Sequence, residues 1–203
     1  MDSEDDLHLA ERELAELDPR LGALIGSQPP IILGPQADYF FSLCRSIIGQ
    51  QVSVASASAI FGRLDAATGL DPTSVAALTD DDTRTIGLSR QKTAYIRDLA
   101  LHFVDNPDVY AHLDQSSDEE VITELTIIKG IGTWTAQMFL MFTLRRPDVF
   151  APDDIGLQRA MKQLYGWDSV PSKRELEATS DRWRPYRTVA SLHLWQSIET
   201  TPV

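Results

Sequence analysis

Cysteine is nearly absent: Cys44 is the only one in 203 residues. A single thiol excludes an intramolecular disulfide, a cysteine-based zinc site and a four-cysteine iron–sulfur cluster. Long hydrophobic runs are missing as well, and without 18 consecutive apolar residues no membrane-spanning helix is expected. The opening Met1-Asp2-Ser3-Glu4-Asp5-Asp6 is acidic where a secretory or transit leader would be basic, so a soluble, unexported, cytoplasmic protein is expected. Lysine is scarce, with only Lys92, Lys129, Lys162 and Lys173, and 30 acids against 18 bases give a net charge of −12. That balance argues against a binder of nucleic acid by bulk charge, which works by neutralising phosphates. The imbalance is uneven. Residues 1–82 hold fourteen acids and four arginines (−10), and residues 83–203 hold sixteen acids and fourteen bases (−2). The second half therefore has room for a local basic face. An acidic, lysine-poor surface also suits a salt-rich medium, where self-repulsion is screened.

Period-two alternation is lacking too, so the 43% of hydrophobic residues must be organised by helices. Leu7, Ala10, Leu14 and Leu17 recur at helical spacing after a frayed acidic tail (1–6) and stop at Asp18-Pro19. A linker with Gly26 and Pro29-Pro30 follows, then helices over 37–48 and 52–67 with Gly49-Gln50-Gln51 as their corner. Short helices are expected over 73–78 and 81–86, and a longer one over 90–104 with Tyr95, Ile96, Leu99, Ala100 and Phe103 as its apolar stripe. Ser117 and Glu120, like Ser172 and Glu175, have capping-box spacing. Asp153-Asp154 can cap a helix through Leu164, and Pro185 suits the first turn of one through Ile198. About ten helices joined by short loops make an all-α protein.

The densest signal is Leu125-Thr-Ile-Ile-Lys-Gly-Ile-Gly-Thr-Trp-Thr-Ala136, a helix end, a Gly-Ile-Gly turn and an immediate helix start. Gly130 and Gly132 permit positive φ and close backbone approach, and the unpaired N–H groups opening the second helix suit a phosphate through donors and dipole rather than net charge. Taken alone, a Gly-x-Gly is a tight turn between packed helices, and an Asp-Asp before a helix is a cap.

In combination, these segments resemble the helix-hairpin-helix superfamily of DNA glycosylases, in which such a hairpin is followed about twenty residues later by an Asp. Asp154 lies 22 residues after Gly132. The likeness runs from about residue 37 to 195 and is nearest the alkylation-repair branch typified by 3-methyladenine DNA glycosylase II. It rests on Ile47-Ile-Gly-Gln-Gln-Val-Ser53, Gly130-Ile-Gly-Thr-Trp-Thr-Ala136, Pro152-Asp-Asp154, Trp183-Arg-Pro-Tyr-Arg187 and Leu192-His-Leu-Trp195. The resemblance implies two helical subdomains, residues 36–145 with the hairpin and residues 1–35 plus 146–203 with the catalytic Asp, and an active-site cleft between them. It also implies a compact version without the extra N-terminal β domain of larger bacterial relatives.

Residue by residue, the resemblance makes Asp154 the catalytic carboxylate and leaves Asp153 as the N-cap. Breaking an N-glycosidic bond builds positive charge on the sugar, which a carboxylate stabilises while orienting or deprotonating water. Trp134 stands where strand-nicking relatives carry a Schiff-base Lys, so a monofunctional enzyme using water is implied; Lys129 lies before the turn and does not match that nucleophile. Trp134 and Met138 share a helix face, the resemblance sets Trp195 across the same base pocket, and an indole face suits a cationic alkylated base. Met138 departs from the Tyr of the best-known member. Phe139, Met141 and Phe142 are expected in the core. Base flipping requires a wedge; Gln51 matches that position, and Arg90 a second insertion loop. Gln50 is open between lining the base pocket and satisfying backbone groups at the corner.

Gly130, Ile131, Gly132, Thr133 and Thr135 are the implied phosphate contacts. The carbonyls of Thr126, Ile128 and Ile131 are implied holders of a monovalent cation, with no other cofactor. The implied partner is damaged double-stranded DNA, bound by a monomer that is nucleoid-associated in a prokaryote. His8, His102, His112 and His193 lack metal-ligand spacing, and Cys44 reads as a reduced core residue. Arg184 and Arg187 are expected to pair with acids. The leading expectation is a hydrolase removing alkylated bases such as 3-methyladenine and 7-methylguanine to leave an abasic site in base excision repair. Its rivals are a glycosylase for uracil, mismatched or oxidised bases and a non-catalytic damage-binding protein.

Overall fold

The computed structural model describes residues 4–198, which hold thirteen α-helices, two short 3-10 turns and no strand. No helix among these residues is long and apolar enough to cross a membrane. The helices are α1 (Glu4–Leu17), α2 (Pro19–Gly26), α3 (Tyr39–Gly49), α4 (Val54–Thr68), α5 (Pro72–Ala76), α6 (Asp80–Ile86) and α7 (Arg90–Asp105). They continue as α8 (Pro107–Ala111), α9 (Asp118–Thr126), α10 (Thr133–Phe142), α11 (Ile155–Tyr165), α12 (Lys173–Ser180) and α13 (Arg187–Ser197). Of the described chain, residues 4–35 and 140–198 form one compact unit and Gln36–Phe139 the other. The division falls inside α10, six residues before the boundary expected at 145.

In the first unit α13 is the hub, and α1, α2 and α11 pack on it. Every side chain from Thr188 to Trp195 is buried, so the apolar stripe is not confined to one face. Each fully buried Leu or Trp there contributes about 1.5–3 kcal/mol over its exposed state. Asp18-Pro19 ends α1 as expected, but α2 rather than a linker follows: proline tolerates the first helical position, and Asp18 accepts from the amides of Arg20 and Leu21 at 3.1 and 3.2 Å. Its other oxygen accepts the Tyr165 hydroxyl at 2.5 Å and the Trp183 indole N–H at 3.2 Å, which ties α2 to α11 and the 3-10 turn before α13. His193 is likewise enclosed, between Gln28 and Glu11 at 2.8 and 3.0 Å, and burial pulls its proton affinity down despite the Glu11 partner. Arg184 and Arg187 both pair with Asp148, at 2.6 and 2.7 Å, as expected for bases in an acid-rich chain.

In the second unit α7 is central, with α3, α5 and α8 against it. Ile96, Leu99 and Ala100 form its buried side. Capping boxes start α6 (Thr79 with Asp82) and α9 (Ser117 with Glu120), and a third starts α12 in the first unit (Ser172 with Glu175). Cys44 is free and fully buried, and burial pushes its thiol well above the ordinary value. Three expectations are corrected. Residues 4–6 are the first turn of α1, the five-residue α8 was not anticipated, and Pro185 precedes α13, whose cap is Tyr186.

Burial alone would push the Asp18 carboxyl up. The hydrogen bonds from Tyr165, Trp183, Leu21 and Arg20 outweigh it and hold the carboxyl below its ordinary value of 3.8. A depressed carboxyl contributes stability above its unfolded value and loses it as pH falls through the folded one. Asp18→Asn should therefore cost about 1–3 kcal/mol at pH 7. In urea titrations the gap to wild type should narrow progressively as pH drops below 3.8.

Candidate active site and nucleic-acid interface

The helix-start signal at 153–154 resolves against the expected cap. Asp154 itself is the N-cap of α11, accepting the amide of Leu157 at 2.8 Å through Oδ1. Asp153 points to the surface and pairs with Lys173 at 2.9 Å. The same Oδ1 of Asp154 also accepts the indole N–H of Trp195 on α13 at 2.9 Å. One carboxylate oxygen thus takes two donors from two helices. At 7% exposure the carboxyl is nearly enclosed, a burial that only hydrogen-bonded compensation makes affordable.

Trp195 was expected to offer a ring face to a base. It is fully buried: its ring lies 5.8 Å from that of Phe142 in a stacked arrangement, and its N–H is spent on Asp154. Its role in this structure is to hold the carboxylate. Gly156 makes that contact possible, because a Cβ there would stand 2.9 Å from Asp154 Oδ1 and 3.1 Å from both Cδ1 and Nε1 of Trp195. Gly156 went unremarked in the sequence, and an Asp-x-Gly at a helix start gives no sign by itself of which side chain will cross the gap.

In the other unit, Gly130-Ile-Gly132 joins α9 to α10. Gly130 has φ +86°, and a Cβ on it would sit 2.2 Å from Cδ2 of Tyr95, so conformation and packing both demand glycine. Gly132 departs from expectation: its φ is not positive, and a Cβ there would meet nothing within 4 Å. Thr133 and Gly132 are exposed, whereas Ile131 and Thr135 are buried. Trp134 is 38% exposed and Met138, four residues on, is buried. Phe139 and Met141 are buried, and Phe142 is half-buried under Trp195.

Asp98 of α7 grips the hairpin twice. It accepts the Lys129 amide at 2.9 Å and the Lys129 ammonium at 2.6 Å, with His102 3.7 Å away. Burial raises the Asp98 carboxyl, but the Lys129 bonds and charge, with His102, more than reverse this and hold it below its ordinary range. Lys129 is thereby engaged within the fold. Of the carbonyls expected to hold a cation, that of Ile128 accepts the amide of Ile131 at 3.1 Å. No group of three or more His, Cys, Asp or Glu suited to a metal occurs among the described residues.

The corner after α3 carries the residue expected as a wedge. Gln51 is exposed and has φ +57°, a left-handed backbone that costs a non-glycine residue roughly 1–2 kcal/mol. Gln50 has a backbone partner at the corner: its side-chain amide donates to the Gly130 carbonyl at 2.9 Å. Lys92 of α7 donates to the carbonyls of Ile48 and Gln50 at 2.6 and 2.7 Å, and burial lowers its proton affinity. These groups border a depression of about 420 Å³ that also takes in Ser89, Gln91 and Tyr95. Arg90 stands exposed at the start of α7, beside the Ser89 cap. Three segments singled out separately in the sequence, the 50–51 corner, the 89–91 turn and the hairpin glycine, therefore meet around one concavity. The residues that join them, Lys92, Tyr95 and Asp98, were missed. Their i, i+3, i+6 spacing on a helix was the available signal.

A helical hairpin with a glycine in the left-handed region is thus followed along the chain by a buried carboxylate that caps the next helix. Residues 44–185 match the model of the HhH-GPD superfamily of base excision DNA repair proteins, and the chain belongs to that family. It is 35% identical over 181 residues to a putative DNA-3-methyladenine glycosylase of Bacillus subtilis, covering 84% of this chain and 62% of that protein. The chain thus spans under two thirds of that relative's length. DNA-3-methyladenine glycosylase 1 of Schizosaccharomyces pombe is 30% identical, over 93% of this chain and 86% of its own. Among solved structures, a DNA-3-methyladenine glycosidase of Bacillus halodurans superposes with a TM-score of 0.84 at 36% identity, covering 97% of this chain and 89% of that one. The S. pombe 3-methyladenine DNA glycosylase in complex with abasic DNA gives 0.79 at 28% identity, over 95% and 97% of the two chains.

The two hairpin glycines should respond differently to a methyl group. Gly130→Ala should lower stability by about 2 kcal/mol or more, from strain at positive φ and collision with Tyr95. Gly132→Ala should stay within about 0.5 kcal/mol. Urea unfolding midpoints read both.

Proposed function

We propose that the protein is a monofunctional DNA glycosylase that flips alkylated bases such as 3-methyladenine and 7-methylguanine out of duplex DNA and hydrolyses their N-glycosidic bond. The observation that carries this reading is Asp154, a nearly enclosed carboxylate fixed by Leu157 and Trp195 22 residues after the hairpin. The names of its relatives, 3-methyladenine glycosylases in bacteria and yeast, support the same substrate class.

In this reading the sugar develops positive charge as the bond to the base lengthens, and the carboxylate of Asp154 stabilises it. A unit negative charge about 4 Å away contributes about 4 kcal/mol at an effective dielectric constant near 20, on the order of a thousandfold in rate. Oriented by the two donors on Oδ1, the carboxylate of Asp154 faces the sugar and takes a proton from the attacking water. The base leaves carrying the electron pair of the glycosidic bond, which an alkylated, cationic ring accepts without prior protonation. Trp134, with its partly exposed indole, supplies a face for that cation, worth roughly 0.5–2 kcal/mol. Gln51 fills the vacated stack, and Arg90 enters the duplex beside it.

The hairpin holds a phosphate through the backbone amides that open α10, with Thr133 adding its hydroxyl. A monovalent cation on the carbonyls of Thr126, Ile128 and Ile131 would supply positive charge that the Asp98-bound Lys129 does not. With Trp134 in place of a Schiff-base lysine, the product is an intact strand with an abasic site. The enzyme acts as a monomer.

In single-turnover assays on methylated duplex DNA, wild type should release 3-methyladenine and 7-methylguanine, and Asp154→Asn should be slower by about a thousandfold while binding abasic DNA normally. Strands should be nicked only after alkali. Release that survives in Asp154→Asn, or nicking without alkali, would refute the assignment.

A further inference from the structure

We propose that Lys92 is a positioning residue that locks the Gln51 corner in its base-displacing conformation and couples it to the hairpin. The inference rests on the reading of Gln51 as the wedge. Gln51 has a left-handed backbone without being a glycine, and such a conformation persists only where the surroundings over-determine it. Here the surroundings are explicit. The ammonium of Lys92 binds the carbonyl of Gln50, immediately before the strained residue, at 2.7 Å and that of Ile48, in the last turn of α3, at 2.6 Å. Both are carbonyls that a helix end leaves without intrahelical partners, and a cation at that end is favoured by the helix dipole.

From the other side, the Gln50 amide reaches the Gly130 carbonyl at 2.9 Å, so the corner is also fastened to the hairpin turn. The helix that carries Lys92 contacts the same turn one and two turns further on. Tyr95 packs against Gly130 so closely that no Cβ fits, and Asp98 holds the amide and ammonium of Lys129. Lys92, Tyr95 and Asp98 thus form one stripe along α7 that touches the corner at one end and the phosphate-binding turn at the other. A duplex gripped by the hairpin would meet Gln51 at a fixed distance and angle, with the backbone of the corner already in the conformation it keeps when inserted. Lys92 lies at the edge of the depression, yet its donors are turned to backbone carbonyls within the protein. Its contribution to damaged DNA is therefore indirect and routed through Gln51.

The test is a double-mutant cycle on the full chain, measuring affinity for a duplex with a tetrahydrofuran abasic analogue and for the same duplex undamaged. Lys92→Met removes the donors and keeps the aliphatic stem. It should weaken abasic-duplex binding by about tenfold or more and leave undamaged-duplex binding within about twofold. Gln51→Ala should lose a similar factor, and Lys92→Met should cost nothing further in the Gln51→Ala background, because coupled residues are non-additive. Lys92→Gln, which keeps donors on a shorter stem, should fall between wild type and Lys92→Met and serves if the methionine variant does not fold. Additive losses, or equal weakening on both duplexes, would overturn the positioning role and leave the wedge reading standing. An unaffected Gln51→Ala would remove the wedge reading and this inference with it.

Discussion

The bond from the Trp195 indole to Oδ1 of Asp154 is the constraint on which the rest of the first unit depends. It places a carboxylate at a helix N-terminus, where the Leu157 amide and the dipole of α11 favour negative charge, and it fixes the orientation of that carboxylate. It holds only because α13 is buried along its length and because Gly156 presents no side chain in the gap. The N-terminal helices belong to the same arrangement. Asp18 joins α2 to Tyr165 and Trp183, and His193 is enclosed by Gln28 and Glu11. A cap, ordinarily a local device worth about 1 kcal/mol, has here been tied into the core, so the group proposed for catalysis is also one that α11 needs in order to start.

In the proposed function the second unit answers a different question, how an acidic protein would hold a polyanion. With a net charge of −12 it has no bulk attraction to offer. The hairpin instead presents oriented amides, which cost no net charge and lose little of their pull at high salt because they act at contact range. Asp98 sits beside the turn proposed to hold a phosphate. Its carboxylate is absorbed by Lys129 and by the Lys129 amide, so it stiffens the turn while exporting little charge.

The helices were legible because their signals are local: serine caps with a carboxylate three residues on, and apolar stripes at helical period. The hairpin, Asp154 and the corner at Gln51 were legible only as an ordered set, since each alone has an ordinary structural explanation. What the sequence hid were partners. Asp153 and Asp154 are indistinguishable as caps until Trp195 arrives from 41 residues away. Gln50 offers no sign that its amide will cross 80 residues to Gly130, nor Lys92 that it will reach back to α3. The second helix of the chain was missed for the opposite reason: Asp18-Pro19 is a stop signal and a start signal at once, ending α1 and opening α2.

The claim that Trp195 acts on the carboxylate rather than on the base is tested most directly by Trp195→Phe, which keeps a ring to stack on Phe142 and removes the N–H. Single-turnover release of 3-methyladenine should slow by roughly 10- to 100-fold, the cost of one hydrogen bond to a charged group. Affinity for abasic duplex should change by no more than about twofold. A variant that releases the base at the wild-type rate, or that loses DNA affinity in step with rate, would contradict it.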